Sequence, residues 1–278
     1  MACWSLTSHL LSSQPELYKA ATRSDFLLAG AEGRLPKEIL GKWLAADRLY
    51  IHSYIRAAGQ LLSSLDFPTY VDPFGKEDAA WETQLADWLI EALVAIRREE
   101  SFFIDISKRY GLSLEVLGPS SNDSVQQPTA LERMQKIFAD VTPHVSAHAC
   151  GTSMSTPLLP WLEGAVTFWG TERVYLDAWS FAHAKAAERS RGSPADGHQD
   201  ADGGALRKEF IPNWTSPEFV AFVERLGSIV DQAVQKVLDA AQAEVGKAEK
   251  IKSEILARVE SRWRTLLEAE RDFWPIMA

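Results

Sequence analysis

Large apolar side chains recur at helical spacing along almost the whole chain, and no run of alternating β-branched residues interrupts them. Strands need a period of two, helices one of 3.6 residues, so the pattern predicts an all-α fold. Helices are expected at 14–30, 36–64, 77–110, 129–149, 157–189, 216–243 and 248–274, a bundle of about seven to eight. Pro15, Pro36, Pro157 and Pro217 stand at the starts, where a missing N–H costs little, and Ser216 is placed to cap the helix that opens at Pro217. Between 240 and 252 the break rests on Gly246, since an uninterrupted helix from 216 to 274 is atypical of a compact domain.

The chain has 278 residues, 46% hydrophobic and 24% charged, enough for one domain over 1–278 with a sizeable core. Gly, Pro, Ser, Asp and Asn accumulate at 66–78, 118–129 and 189–204. These read as loops, with 189–205 expected as a flexible surface insertion. A net charge of −9 without a Lys/Arg-rich run argues against nucleic acid as a partner. Cys3 and Cys150 make no disulfide framework, and no stretch has the roughly 18 uncharged apolar residues of a membrane span. A cytoplasmic protein without membrane contact is the expectation. Ten tryptophans are the compositional oddity; they suit a core of packed helices and equally a pocket for a flat ring.

Carboxylates sit where apolar residues belong. On one helix face Leu40, Trp43, Leu44, Asp47, Tyr50, Ile51, Tyr54 and Ala58 align, while Arg48, His52 and Arg56 take the opposite side. Glu172 falls among Trp169, Tyr175 and Trp179 on the stripe of 157–187, and Glu270 among Leu266, Leu267, Phe273 and Trp274 near the end. An ionised carboxylate buried alone costs several kcal/mol, so such groups are paired, protonated, metal-bound or set in a solvated pocket. One of them alone suits a structural partner such as an inward Arg; three on three stripes point to a site. Glu99 also touches its stripe, but "RREE" reads as a solvated charge cluster.

The Glu-x-x-His pairs of di-iron bundles are absent. The nearest metal-like set is Asp140, His144 and His148, where Pro143 leaves Asp140 outside the helix shared by the histidines. No metal and no cofactor are therefore expected. Cys150 has no evident histidine partner, and the neighbouring "GTSMS" is neither a nucleophile elbow nor a phosphate loop.

Three segments, in order along the chain, carry a family likeness: "LAGAEGRLPKEILGKWLAADRLYIHSYIRA", "EFIPNWTSPEFVAFVERL" and "LLEAERDFWPIMA". Together they resemble the TenA/THI-4 (thiaminase II-like) family, whose fold is the haem-oxygenase-like helical bundle. The resemblance implies hydrolysis of an aminopyrimidine or related heterocycle. Asp47 and Tyr50 would hold the ring, Glu270 would act as acid/base, and Glu172 would stand in for a nucleophilic Cys that this chain lacks. Tyr175, Trp169, Trp214 and Trp274 would line or stack on the substrate, Trp214 replacing a pocket tyrosine, and Ala46 stands where the family has Gln. A homo-oligomer, dimer or tetramer, is implied as well. Two alternatives stay open: a binding protein that kept the pocket without the chemistry, and a metal-dependent oxidase that recruits His144 or His148.

Overall fold

The computed structural model describes residues 4–69, 80–115, 126–142, 158–192 and 200–277, and among them every regular element is a helix. The elements are α1 (Leu6–Ser13), α2 (Pro15–Thr22), α3 (Asp25–Ala31), α4 (Lys37–Ser63), α5 (Trp81–Tyr110), α6 (Gln126–Ala139) and α7 (Leu162–Gly192). A π-helical turn (Leu206–Phe210), α8 (Ile211–Trp214), α9 (Pro217–Ala241) and α10 (Lys247–Phe273) complete the chain. Helix α7 is the hub: α10, α9, α8, α3 and α2 pack on it, while α4 lies between α5 and α6. Every residue from Gly164 to Thr171 is buried, as befits a core helix, with the Thr167 and Thr171 hydroxyls donating to backbone carbonyls of the same helix.

Local chemistry explains where helices stop. Ser216 caps α9, its side chain accepting from the Phe219 N–H. Gly246, at φ 77°, supplies the left-handed residue that turns α9 into α10. The expected 14–30 helix is instead two, because Ser24 leaves the helical path to accept from the Leu27 N–H and start α3 anew. Helix α1 was not anticipated; Ser5 caps it, and the Ser5 hydroxyl and Thr7 N–H both donate to Asp231 of α9, at 2.8 and 2.9 Å. Helix α6 begins earlier than expected and ends at Ala139.

The 189–205 insertion needs correction on both flanks. Helix α7 continues to Gly192, and beyond the undescribed 193–199 the chain is anchored to the bundle. Asp202 is 2% exposed and accepts from the Gly204 and Leu206 N–H groups at 2.7 Å each, while Ala201 N–H donates to the Gly33 carbonyl. An acidic side chain that caps the following helical turn is a fixed point of structure. Cys3, Pro143, His144, His148, Cys150 and Pro157 lie outside the described residues.

The tryptophans gather into one core. Trp43, fully buried, meets Phe26, Trp179, Trp214 and Trp274 with ring centroids 5.2, 5.6, 5.9 and 5.7 Å away. Trp274 anchors one end, its indole N–H donating to the Ala21 carbonyl at 2.7 Å. Such rings bury large areas and interlock at fixed geometry, which gives the neighbouring site a rigid floor.

Candidate functional site

Five helices project polar side chains into a cavity of about 420 Å³, a volume suited to a small organic molecule. Helix α4 contributes Asp47, Tyr50 and Tyr54, at the i, i+3, i+7 spacing of one face. Helix α7 contributes Glu172 and Tyr175, and α5 contributes Glu99 and Phe102. Trp214, at the end of α8, closes another side. The π-helical turn before it, in which the Ile211 N–H donates to the Leu206 carbonyl, adds a residue to the helical repeat and so sets the rotation at which Trp214 meets the cavity.

The carboxyls are held by hydroxyl and indole donors. Tyr54 Oη donates to Glu172 Oε1 at 2.7 Å, Tyr175 Oη to Asp47 Oδ2 at 3.3 Å, and Trp214 Nε1 to Glu99 Oε1 at 2.5 Å. Among the described residues none of these three acids has an ion-pair partner, in contrast to Glu100 next door, which is paired with Arg48 and Arg97 and contacts His52. Burial therefore favours their neutral forms. It pushes Glu172 up to about 8 with help from Glu99, although the Tyr54 bond opposes the rise. Glu99 is pushed up to about 7 by burial, against the pull of the Trp214 bond. Asp47 is raised well above the usual carboxylate range by burial and by the negative charge of Glu99 and Glu172.

Of the residues singled out in the sequence, Asp47, Tyr50, Glu172, Tyr175 and Trp214 meet at this cavity. Glu270 stands outside the lining. It is 3% exposed, and burial together with Asp47 and Glu172 holds its carboxyl well above the normal range, so it is electrostatically coupled to the site. Trp169 and Trp274 require correction as stacking partners. Trp169 stacks on Trp263 of α10 and its indole lies against Gly227 of α9; Trp274 stacks on Trp43 and Phe26 in the core. Both belong to stripes that are aromatic on several sides, and packing against neighbouring helices decides which ring meets the cavity.

Glu99 is the functional candidate that the sequence reading misplaced. "RREE" is not a uniformly solvated face: Glu100 is 6% exposed in the α4–α5 seam, and Glu99 turns toward the cavity. Consecutive helical residues point about 100° apart, so the pair straddles the helix. Arg48 and His52, read as a polar face, are the partners that reach Glu100. Thr171, one turn before Tyr175, is buried and donates to the Phe168 carbonyl at 3.0 Å. Among the described residues no three His, Cys, Asp or Glu side chains form a metal-ligating set, and no helix is long and apolar enough to cross a membrane.

Solved structures share this fold. A TenA homologue from Pyrococcus furiosus superposes with a TM-score of 0.55 at 16% identity, covering 96% of this chain and 99% of its own. A TenA family transcription regulator from a Silicibacter species gives 0.58 at 13% identity, covering 96% and 94%. A TenA homologue from P. horikoshii gives 0.55 at 14% identity, covering 98% and 99%. No family model matches the chain. Among curated proteins, a "probable transcription factor" from Fusarium pseudograminearum is 25% identical in an alignment 270 residues long that covers 89% of this chain and 49% of that protein. The chain thus spans about half the length of the curated relative it matches.

Proposed function

We propose that this chain, which has the haem-oxygenase-like helical fold of the TenA homologues, hydrolyses a small amine-bearing heterocycle, with aminopyrimidines of thiamin salvage as the first substrate class to test. One observation carries the reading: Asp47 and Glu172, from different helices, converge with raised pKa values on one aromatic-walled cavity. Hydrolysis of an aminomethyl substituent breaks a C–N bond and forms a C–O bond to water. The leaving nitrogen gains a proton and the attacking water loses one, so the reaction needs an acid and a base within reach. Asp47 and Tyr50 orient the ring, and Tyr175 and Trp214 pack on it. Glu172, about half ionised near pH 8, serves at the reacting atoms as base or acid, and Glu270 relays the proton from the second layer.

Turnover of aminomethyl-pyrimidine and of thiamin is the direct test. Glu172→Gln should lower kcat by about 100-fold or more while the substrate still binds. Consumption of neither compound, or a Glu172→Gln protein as fast as wild type, overturns the reading.

A second reading has its own support in Thr171. The position one turn before Tyr175 holds a hydroxyl that donates to a backbone carbonyl, whereas a nucleophilic hydroxyl must give its proton to a base. A binding protein of the same heterocycles follows if pyrimidines stabilise the protein and no product forms. The acidic charge of −9 favours a small-molecule role for this half-length match over the nucleic-acid role that the curated relative's name suggests for a protein about twice as long. A cytoplasmic homo-oligomer, with no metal or cofactor in the reaction, completes the proposal.

A further inference from the structure

We propose that Glu99 makes the cavity selective for ligands that carry a cationic nitrogen beside the ring, so that an ammonium-bearing substrate is preferred over its neutral hydroxyl analogue. This deepens the reading of the cavity as a heterocycle site and rests on it only for the ring. Glu99 reaches in from α5, while Asp47 of α4 and Glu172 of α7 come from other helices. Its Oε1 takes the Trp214 indole N–H, and Oε2 takes no hydrogen bond from the described residues. The carboxyl is thus oriented by one oxygen and open to a ligand through the other.

Among the described residues neither Asp47 nor Glu172, which share the cavity with Glu99, has an ion-pair partner. Asp47 and Glu172 carry only hydroxyl donors, and the tyrosines Tyr50, Tyr54 and Tyr175 add none but neutral groups. At the rim, Glu91 is paired with Arg225 of α9, and Glu218 adds a further acid; Arg98 is the cation among the described lining residues. A ligand ammonium would give Glu99 the ion-pair partner it lacks among the described residues. Binding then favours ionisation of Glu99, so one proton leaves as the cation enters. The preference grows as pH rises through the titration of Glu99 near 7, while the ligand amine stays protonated.

Calorimetric titration with two matched pairs tests this. One pair is the aminomethyl and hydroxymethyl forms of an aminopyrimidine; the other is benzylamine and benzyl alcohol, which has no pyrimidine. Wild type should bind the amine of each pair about tenfold more tightly than the alcohol, as a charge-assisted hydrogen bond supplies. The gap should be wider at about pH 8 than at about pH 6. Glu99→Gln, which keeps the shape, should lose the gap by weakening the amine alone, with proton release on binding lost as well. Equal affinities in wild type, equal weakening of both partners in Glu99→Gln, or no binding of either amine overturns the proposal. A preference for benzylamine with no pyrimidine bound would leave Glu99's role standing and remove the aminopyrimidine reading.

Discussion

Raising the pH from about 5 to about 8 should lower the thermal midpoint of the wild-type protein, and Glu172→Gln should flatten that fall. The carboxyl of Glu172 ionises near 4.5 in an unfolded chain and near 8 in the folded protein. Between those values the unfolded chain has released a proton that the folded one keeps, so each step upward in pH favours unfolding. Below the lower value both states are protonated, and the folded state bears no charge penalty there. Glu99, Asp47 and Glu270 are shifted in the same direction and add to the trend. His52, lowered from 6.5 by burial and by its arginine neighbours, acts in the opposite sense below its unfolded value and is more open to solvent. A shift of this size, discounted for coupling among the acids, is worth on the order of 2–4 kcal/mol at pH 8 for the isosteric amide. For a chain of this length that is roughly 5–12 °C in Tm. Scanning calorimetry of both proteins at several pH values decides it; identical pH slopes would mean that Glu172 is ionised at low cost and that the cavity is wetter than its lining implies.

Trp43→Ala should be the most damaging core substitution, with about 3–5 kcal/mol lost in urea titrations. Trp43 is fully buried and touches four other aromatic rings, so the truncated site cannot collapse without moving several helices. Its indole N–H lacks a hydrogen-bond partner among the described residues. Trp43→Phe removes that unsatisfied donor along with part of the ring, and should cost about 1–2 kcal/mol, well below the alanine value. A Trp43→Ala protein within about 1 kcal/mol of wild type would show that the cluster is loosely packed.

Much of this arrangement is legible in one dimension. The stripe through Trp43, Asp47, Tyr50 and Tyr54 needs only the 3.6-residue repeat, and all four turn inward as that repeat requires. Gly246 and Ser216 mark their turn and cap through local chemistry that any neighbourhood would preserve. What escapes is whatever two helices decide jointly. Glu99 and Glu100 look alike in sequence, yet one meets a cavity and the other meets Arg48, and the difference lies in which helix flanks each side of α5. The segment leading to Trp214 escapes for another reason: a π-helical turn followed by four α-helical residues containing Pro212 is too short and irregular to show a period. Trp169 and Trp274 fail as cavity residues because an aromatic stripe states that a ring is buried and leaves open against what.

The tryptophan core also has an optical meaning. Trp214 faces the cavity, lies 4.3 Å from Trp179 between ring centroids, and through Trp43 connects to Trp274. Indoles this close exchange excitation, and Trp214 is the member of the cluster whose N–H is bonded to Glu99. A ligand that enters the cavity beside Trp214 should therefore change the emission of the cluster, which a fluorescence titration reads directly.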